Sequence, residues 1–332
     1  PVLLVGDIDK GGVFAQLVGT LALLSESERD RTAGFVINRF RGDIGLLEPG
    51  LDWLTEHTDK PVFGVLPYLH GLVIDSEDSV SAAGTSEAGA LKVVVPVLPR
   101  ISNHNDFDPL RLHPGVDLVF VGPDEPIPPA DLVILPGSKS TRHDLQWLKQ
   151  QGWPEAIQKH LRYGGKLLGI CGGFPMLGLK VEDPEGLEGE IGITEGLALF
   201  EMVTRMVPGK QLRMVIGGLT SHIASTAVTS ALKGYEMHNG VTEGAALVRP
   251  FAELEGRPDG AVSADGQVAG TYIHGVFDEP AACKAILAWA GLKTQGEQSV
   301  DYQRHRLQQL DRLADQVDQC LDKERLRRLL QL

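Results

Sequence analysis

The chain has 332 residues, enough for about two domains with a core each, and 42% hydrophobic against 23% charged residues, a composition that excludes a disordered protein. Its 31 Lys and Arg stand against 44 Asp and Glu, for a formal net charge of −13. So acidic a surface repels nucleic acid and anionic membranes, and neither is expected as a partner.

The first segment alternates strand and helix patterns. A continuous apolar run at 2–5 predicts a strand buried on both faces. A helix at 13–24 follows Gly11-Gly12, then a strand at 34–37, a helix at 46–55 and a strand at 61–65. That order, with short loops, predicts a parallel sheet covered by helices. Three strands in this stretch make half of a doubly wound domain. The chain opens at Pro1 without an initiator methionine, on the first residue of a strand pattern, and is expected to be a piece of a longer protein.

From 75 to 89 the residues turn small and polar, which places the domain linker there, at 81–89. A second α/β pattern follows. Strands are expected at 91–97, 116–121, 131–135 and 166–170, and helices at 140–150, at 154–162 and from 173. Residues 181–265 read as β-hairpins and loops, 268–273 as a late strand and 280–290 as a helix. The tail from 299 carries Leu307, Leu310, Leu313, Val317 and Leu321 at helical spacing and predicts one or two amphipathic helices.

No apolar run approaches the about 20 residues that cross a bilayer. The opening residues lack the basic leader of a signal peptide. Cys171, Cys283 and Cys320 are too few and too scattered for a disulfide framework or a zinc site, so a reducing cytoplasm is the expected location and no metal site is expected.

The strongest chemical signal is Gly169-Ile170-Cys171-Gly172-Gly173, between an apolar strand and a helix-like run. It matches the elbow in which a sharp strand-to-helix turn exposes a nucleophile at strained backbone angles, with glycines leaving room for neighbouring strands and substrate. A helix start behind the thiol favours a thiolate and offers backbone N–H groups to an oxyanion. A nucleophilic Cys171 needs a base. His274, at the end of a strand pattern and before Gly275, is the first candidate; His238, in Gly234-Tyr235-Glu236-Met237-His238, is the second. The Pro136-Gly137-Ser138 turn ends another strand and could aim N–H groups at the same oxyanion.

With these residues in view, the chain resembles the cobyric acid synthases, glutamine-dependent amidases of the cobalamin pathway. The resemblance covers nearly the whole chain. It rests on Asp7-Ile8-Asp9-Lys10-Gly11-Gly12-Val13-Phe14, Val36-Ile37-Asn38-Arg39-Phe40-Arg41-Gly42-Asp43, Gly64-Val65-Leu66-Pro67-Tyr68-Leu69, Pro99-Arg100-Ile101-Ser102-Asn103 with Asp106-Phe107-Asp108-Pro109-Leu110, and the stretches around Gly137, Cys171, His238 and His274. The Phe40-Arg41-Gly42-Asp43 and 100–110 stretches favour this family over the cobyrinic acid a,c-diamide synthases.

The resemblance implies four regions: the C-terminal half of a dethiobiotin-synthetase-like ATP-dependent domain at 1–80, the linker, a class I glutamine amidotransferase-like α/β domain at 90–295, and a helical tail at 296–332. It implies that Cys171 attacks the carboxamide of glutamine, that His274 moves the protons, and that N–H groups of Gly137 and Gly172 hold the oxyanion. It also implies that MgATP activates a corrinoid carboxylate for displacement by ammonia, at four carboxylates of adenosylcobyrinic acid a,c-diamide in turn. No bound organic cofactor is expected in the glutaminase domain.

Two departures matter. The family's phosphate-binding Gly-Lys-Ser loop has no match, since Gly165-Lys166 and Gly209-Lys210 lack the following hydroxyl residue and the glycine spacing. Asp7 and Asn38 therefore count as nucleotide-proximal only in a site begun outside this chain, or as polar residues ending strands. Many class I amidotransferases also carry a Glu two residues after the catalytic His. Here that position is Val276, so a Cys–His dyad is expected and the group orienting the imidazole is left open. A non-catalytic amidotransferase-like binding protein and a Cys-elbow hydrolase of another kind remain as alternatives.

Overall fold

The computed structural model describes residues 1–72, 90–224, 230–293 and 301–331; the expected linker at 81–89 lies outside them. The chain is mixed α/β, built on parallel sheets. It forms two compact units, Pro1–Ile74 with Arg306–Leu332, and Asp75–His305.

In the first unit the strands Val2–Asp7, Thr32–Phe40 and Val62–Pro67 form a parallel sheet in that order. The helices Val13–Leu23 and Glu48–Thr58 bury Val13, Leu17, Leu21 and Leu54 against Phe35 and Ile37 of the middle strand. Among the described residues the strand Val2–Asp7 lies at the edge of this sheet, and Val2 is 46% and Val5 61% exposed, so the expected burial on both faces is not found. A continuous apolar run fits a central strand but does not by itself specify one. A short helix, Glu26–Arg31, was not anticipated, although Ser25 and Glu28 form a capping box: the Ser25 N–H donates to the Glu28 carboxylate at 2.8 Å.

The tail forms the expected amphipathic helices, Tyr302–Cys320 and Lys323–Leu330. Between them Leu321 bridges to Gly64, and the Asp322 N–H donates to the Phe63 carbonyl at 2.8 Å. The backbones approach so closely that a Cβ at Gly64 would lie 2.1 Å from the Cys320 carbonyl oxygen. Gly64→Ala is therefore expected to push the tail off this strand at a cost of about 1–3 kcal/mol. Faster limited proteolysis around Leu321 would show it; unchanged cleavage would contradict it.

In the second unit a six-stranded sheet among the described residues runs Ala261–Val262, Val268–Thr271, Lys166–Ile170, Leu132–Leu135, Leu91–Pro96, Val116–Val121, parallel except for the first strand. Its central strands are apolar throughout because both faces are covered. Val93, Val95, Ile134 and Leu168 face Ile286 and Leu287 of the helix Pro280–Trp289. Val94, Val133, Leu135 and Leu167 face Leu145 and Leu148 of Thr141–Gln150 and Trp153 and Ile157 of Trp153–Arg162.

A second sheet is built on one long hairpin, Met202–Leu219 with Ala231–Gly244. The β-hairpins and loops expected over 181–265 thus include one hairpin with two long strands. Among the described residues no helix is long and apolar enough to cross a membrane.

Candidate active site

The strand Lys166–Ile170 ends at the carboxyl edge of the six-stranded sheet, and Cys171 follows at φ +48°. A non-glycine residue in this left-handed region is strained and persists only where its surroundings fix it. The Cys171 N–H donates to the Thr271 carbonyl at 2.8 Å, and the one-turn helix Gly173–Met176 begins at once. The elbow glycines are required by close approach. A Cβ on Gly173 would lie 2.2 Å from the Leu135 carbonyl oxygen, and one on Gly172 2.7 Å from the Ser138 nitrogen.

His274 arrives by a change of sheet. Val268–Thr271 belongs to the parallel sheet, while Ile273–His274 pairs with Tyr235 and Glu236 of the long hairpin. The imidazole is fully buried, and Asp106 holds it: Nδ1 lies 2.7 Å from one carboxylate oxygen, and the Gly275 N–H donates to the other at 2.8 Å. Nδ1–H therefore points at Asp106, and Nε2, buried without a hydrogen-bond partner, is left for chemistry. Burial works against the charged ring, but the Asp106 carboxylate, and then the Cys171 side chain, outweigh it and raise His274 to about 10. The structure thus brings Cys171 and His274 together.

Asp106 is the residue that sequence reasoning missed. It sits on a short 3₁₀ turn, His104–Phe107, 168 positions before its partner. Its signals were the polar run Ser102-Asn103-His104-Asn105-Asp106 a few residues after the strand Leu91–Pro96, and the Asp106-Phe107-Asp108-Pro109-Leu110 stretch that carries the family resemblance without giving Asp106 a role.

His238 also lines the Cys171 pocket, but in another role. Its ring stacks on Tyr272 at 3.9 Å, Nδ1 lies 2.9 Å from the Gly240 carbonyl, and burial pushes its pKa down. A neutral ring with no carboxylate at Nδ1 is a wall of the pocket.

The pocket holds about 150 Å³. Besides Cys171 and Gly172 it is lined by Ser138, Lys139, Glu188 and Lys210. Gly137 stands one step back, opposite Ser102 in a two-residue ladder, where a Cβ would meet Ser102 Oγ at 2.7 Å and His274 Cε1 at 3.0 Å. Of that turn it is Ser138, one residue on, that reaches the cavity beside Gly172. Burial raises the Glu188 carboxyl, while its oxygen accepts the Arg142 N–H at 3.1 Å. The other cysteines are free thiols, and burial pushes Cys283 up to about 12.

Asp7 and Asn38 lie in the first unit, opposite one another at the carboxyl end of the sheet. Asp7 pairs with Arg39 at 3.1 Å and Asp9 with Arg41 at 2.9 Å, while Asn38 accepts the Arg39 N–H at 2.9 Å. Both carboxylates are already matched by guanidinium groups, and the described residues contain no cluster of acidic, His or Cys side chains that could hold a metal ion.

A thiol on a strained elbow beside a carboxylate-held imidazole is the arrangement of an enzyme that works through a covalent thioester, and the glutamine amidotransferases are such enzymes. Residues 92–282, more than half of the chain, match the CobB/CobQ-like glutamine amidotransferase domain, and the chain belongs to that family. It is also similar to the structure of PurLQS from Thermotoga maritima, at 16% identity, with 60% of this chain and 99% of that one covered and a TM-score of 0.46. A structure titled as a glutamine amidotransferase shares 18% identity, over 60% of this chain and 99% of that one, with a TM-score of 0.43.

Proposed function

We propose that this chain releases ammonia from glutamine at Cys171 and supplies it for amidation of a carboxylate, the acceptor being a corrinoid such as adenosylcobyrinic acid a,c-diamide. The observation that carries the glutaminase half is the unpaired Nε2 of a His274 whose other nitrogen is fixed by Asp106, beside the strained Cys171.

The sulfur attacks the carboxamide carbon while its proton is held on His274 Nε2, the state that a ring raised to about 10 keeps through the assay range. A ring whose basicity is raised keeps that proton until the tetrahedral intermediate collapses, then gives it to the departing nitrogen, leaving a γ-glutamyl thioester and ammonia. His274 next takes a proton from water as the hydroxyl oxygen attacks the thioester carbon, and returns it to the sulfur as glutamate leaves. The developing oxyanion is assigned to backbone N–H groups of Gly172 and of the Gly137-Ser138 turn, in which Ser138 is the residue that reaches the cavity. Glutamine also presents an α-ammonium and an α-carboxylate, and Glu188 with Lys139 and Lys210 gives the pocket both signs of charge.

The corrinoid acceptor, and the ATP that activates its carboxylate, rest on the sequence resemblance alone. Asp7 and Asn38 take their nucleotide-proximal role only with a phosphate-binding segment from outside this chain. Amide-labelled glutamine, MgATP and the corrinoid diamide, given to a protein that contains that segment together with this chain, are expected to yield labelled corrinoid amides. Label found only as free ammonium would reject this acceptor.

The glutaminase half is tested by a chloroketone analogue of glutamine followed by peptide mapping. The label is expected on Cys171 and to be prevented by glutamine. Label on Cys283 or Cys320, with none on Cys171, would reject the assignment.

A further inference from the structure

Asp106 fixes one edge of the His274 ring, but a single contact at Nδ1 leaves the ring free to tilt about it. The antiparallel register sets Tyr235 directly opposite His274, and the two rings stack, with centroids 5.1 Å apart and planes 23° from parallel. The Tyr235 hydroxyl accepts a hydrogen bond from the Asn103 side-chain amide. Asn103 holds a left-handed backbone, φ +53°, and N-caps the same 3₁₀ turn that carries Asp106. One turn therefore reaches the imidazole twice: directly at Nδ1, and through a tyrosine laid on the ring face. On another side the Gly137 backbone packs close, since a Cβ there would stand 3.0 Å from His274 Cε1.

We infer that Asn103 and Tyr235 form a latch that sets the plane of His274 so that Nε2 meets the Cys171 sulfur, which makes both of them positioning residues for the reaction. This rests on the glutaminase reading given above. A ring aligned by its edge alone wobbles through the angles at which Nε2 misses the thiol, and errors of this size cost rate rather than binding. The charged or titratable groups around the ring are Asp106, Cys171 and Tyr235, with Asp278 beyond the tyrosine. Burial, and then the Asp106 charge, push the Tyr235 hydroxyl up to about 12, so it stays neutral wherever the enzyme is assayed.

The test uses the full chain with Tyr235→Phe, Asn103→Ala and both together. Tyr235→Phe keeps the stacked ring and removes only the hydroxyl, so folding is preserved; Asn103→Ala cuts the latch from the other end. Each is expected to lower kcat for glutamine about tenfold with KM within about twofold. The double variant should be no worse than either single, because one link is being cut twice.

Alkylation of the Cys171 peptide by iodoacetamide across pH reports on the thiol–imidazole pair without glutamine. Its profile should shift in the same way in all three variants. Profiles that overlay the wild type, or losses that add in the double variant, would overturn the latch while wild-type turnover left the glutaminase reading standing. Shifted alkylation in a wild-type background that does not hydrolyse glutamine would do the reverse.

Discussion

Asp106→Asn is expected to lower glutamine turnover by about a hundred- to ten-thousandfold with little change in KM. The asparagine is nearly isosteric, so the 2.8 Å bond from the Gly275 N–H to one oxygen can persist. The other position, 2.7 Å from Nδ1, can now be an NH₂. The ring then accepts at Nδ1 and carries its proton on Nε2, where it cannot take one from the thiol.

The same change alters pH dependence. With the carboxylate present His274 is raised to about 10; without it the value falls. The alkaline limb of the kcat profile should move to lower pH. Stability follows the same linkage. A group raised in the folded state contributes fully below its unfolded value, here 6.5, and the contribution disappears as pH rises through about 10. The wild type should lose stability over that window, and Asp106→Asn should show a weaker loss there. Turnover within threefold of wild type and an unmoved alkaline limb would contradict the role given to Asp106.

Cys171→Ser should remove turnover altogether, a loss of at least about a thousandfold. A serine on the same strained turn is a far weaker nucleophile for this step, and His274 is placed for sulfur. No other thiol substitutes: Cys283 is buried and held protonated, and Cys171 is the cysteine that lines the pocket. Cys171→Ala should still bind glutamine, because the Glu188 and lysine charges of the pocket are untouched. Stopped-assay ammonia release with purified Cys171→Ser checks the first statement, and calorimetric titration of Cys171→Ala with glutamine checks the second. Wild-type rates in Cys171→Ser would contradict the first.

What the amino-acid order reveals here depends on the range of the signal. The elbow is local: five residues contain the glycines, the thiol and the turn, and each glycine has a nearby backbone that excludes a Cβ. His274 was recognisable because a histidine between an apolar strand pattern and Gly275 is rare in so polar a set of histidines. The strands Val116–Val121 and Lys166–Ile170 were bounded correctly because short, mostly apolar runs are closed by turn-forming glycines, Gly115 and Gly122 around the first and Gly165 before the second.

Asp106 was unreadable as a partner, since nothing periodic links it to a residue 168 positions away. The long hairpin was hidden for a different reason. Pro208 and Gly209 interrupt Met202–Leu219, and Leu212, Met214 and Ile216 are apolar on its exposed face, so the alternation that marks a half-buried strand is absent. The edge position of Val2–Asp7 was lost in the same way, with apolar residues standing on an exposed side.

The central claim is a covalent one: glutamine is cleaved through a thioester on Cys171, with His274 passing the proton. Acid quenching during turnover, followed by mass mapping of the peptides, tests it most directly. A γ-glutamyl group is expected on the Cys171 peptide of the wild type and none in Cys171→Ser. Steady glutamine hydrolysis with that peptide unmodified, and with Cys171→Ser fully active, would contradict it.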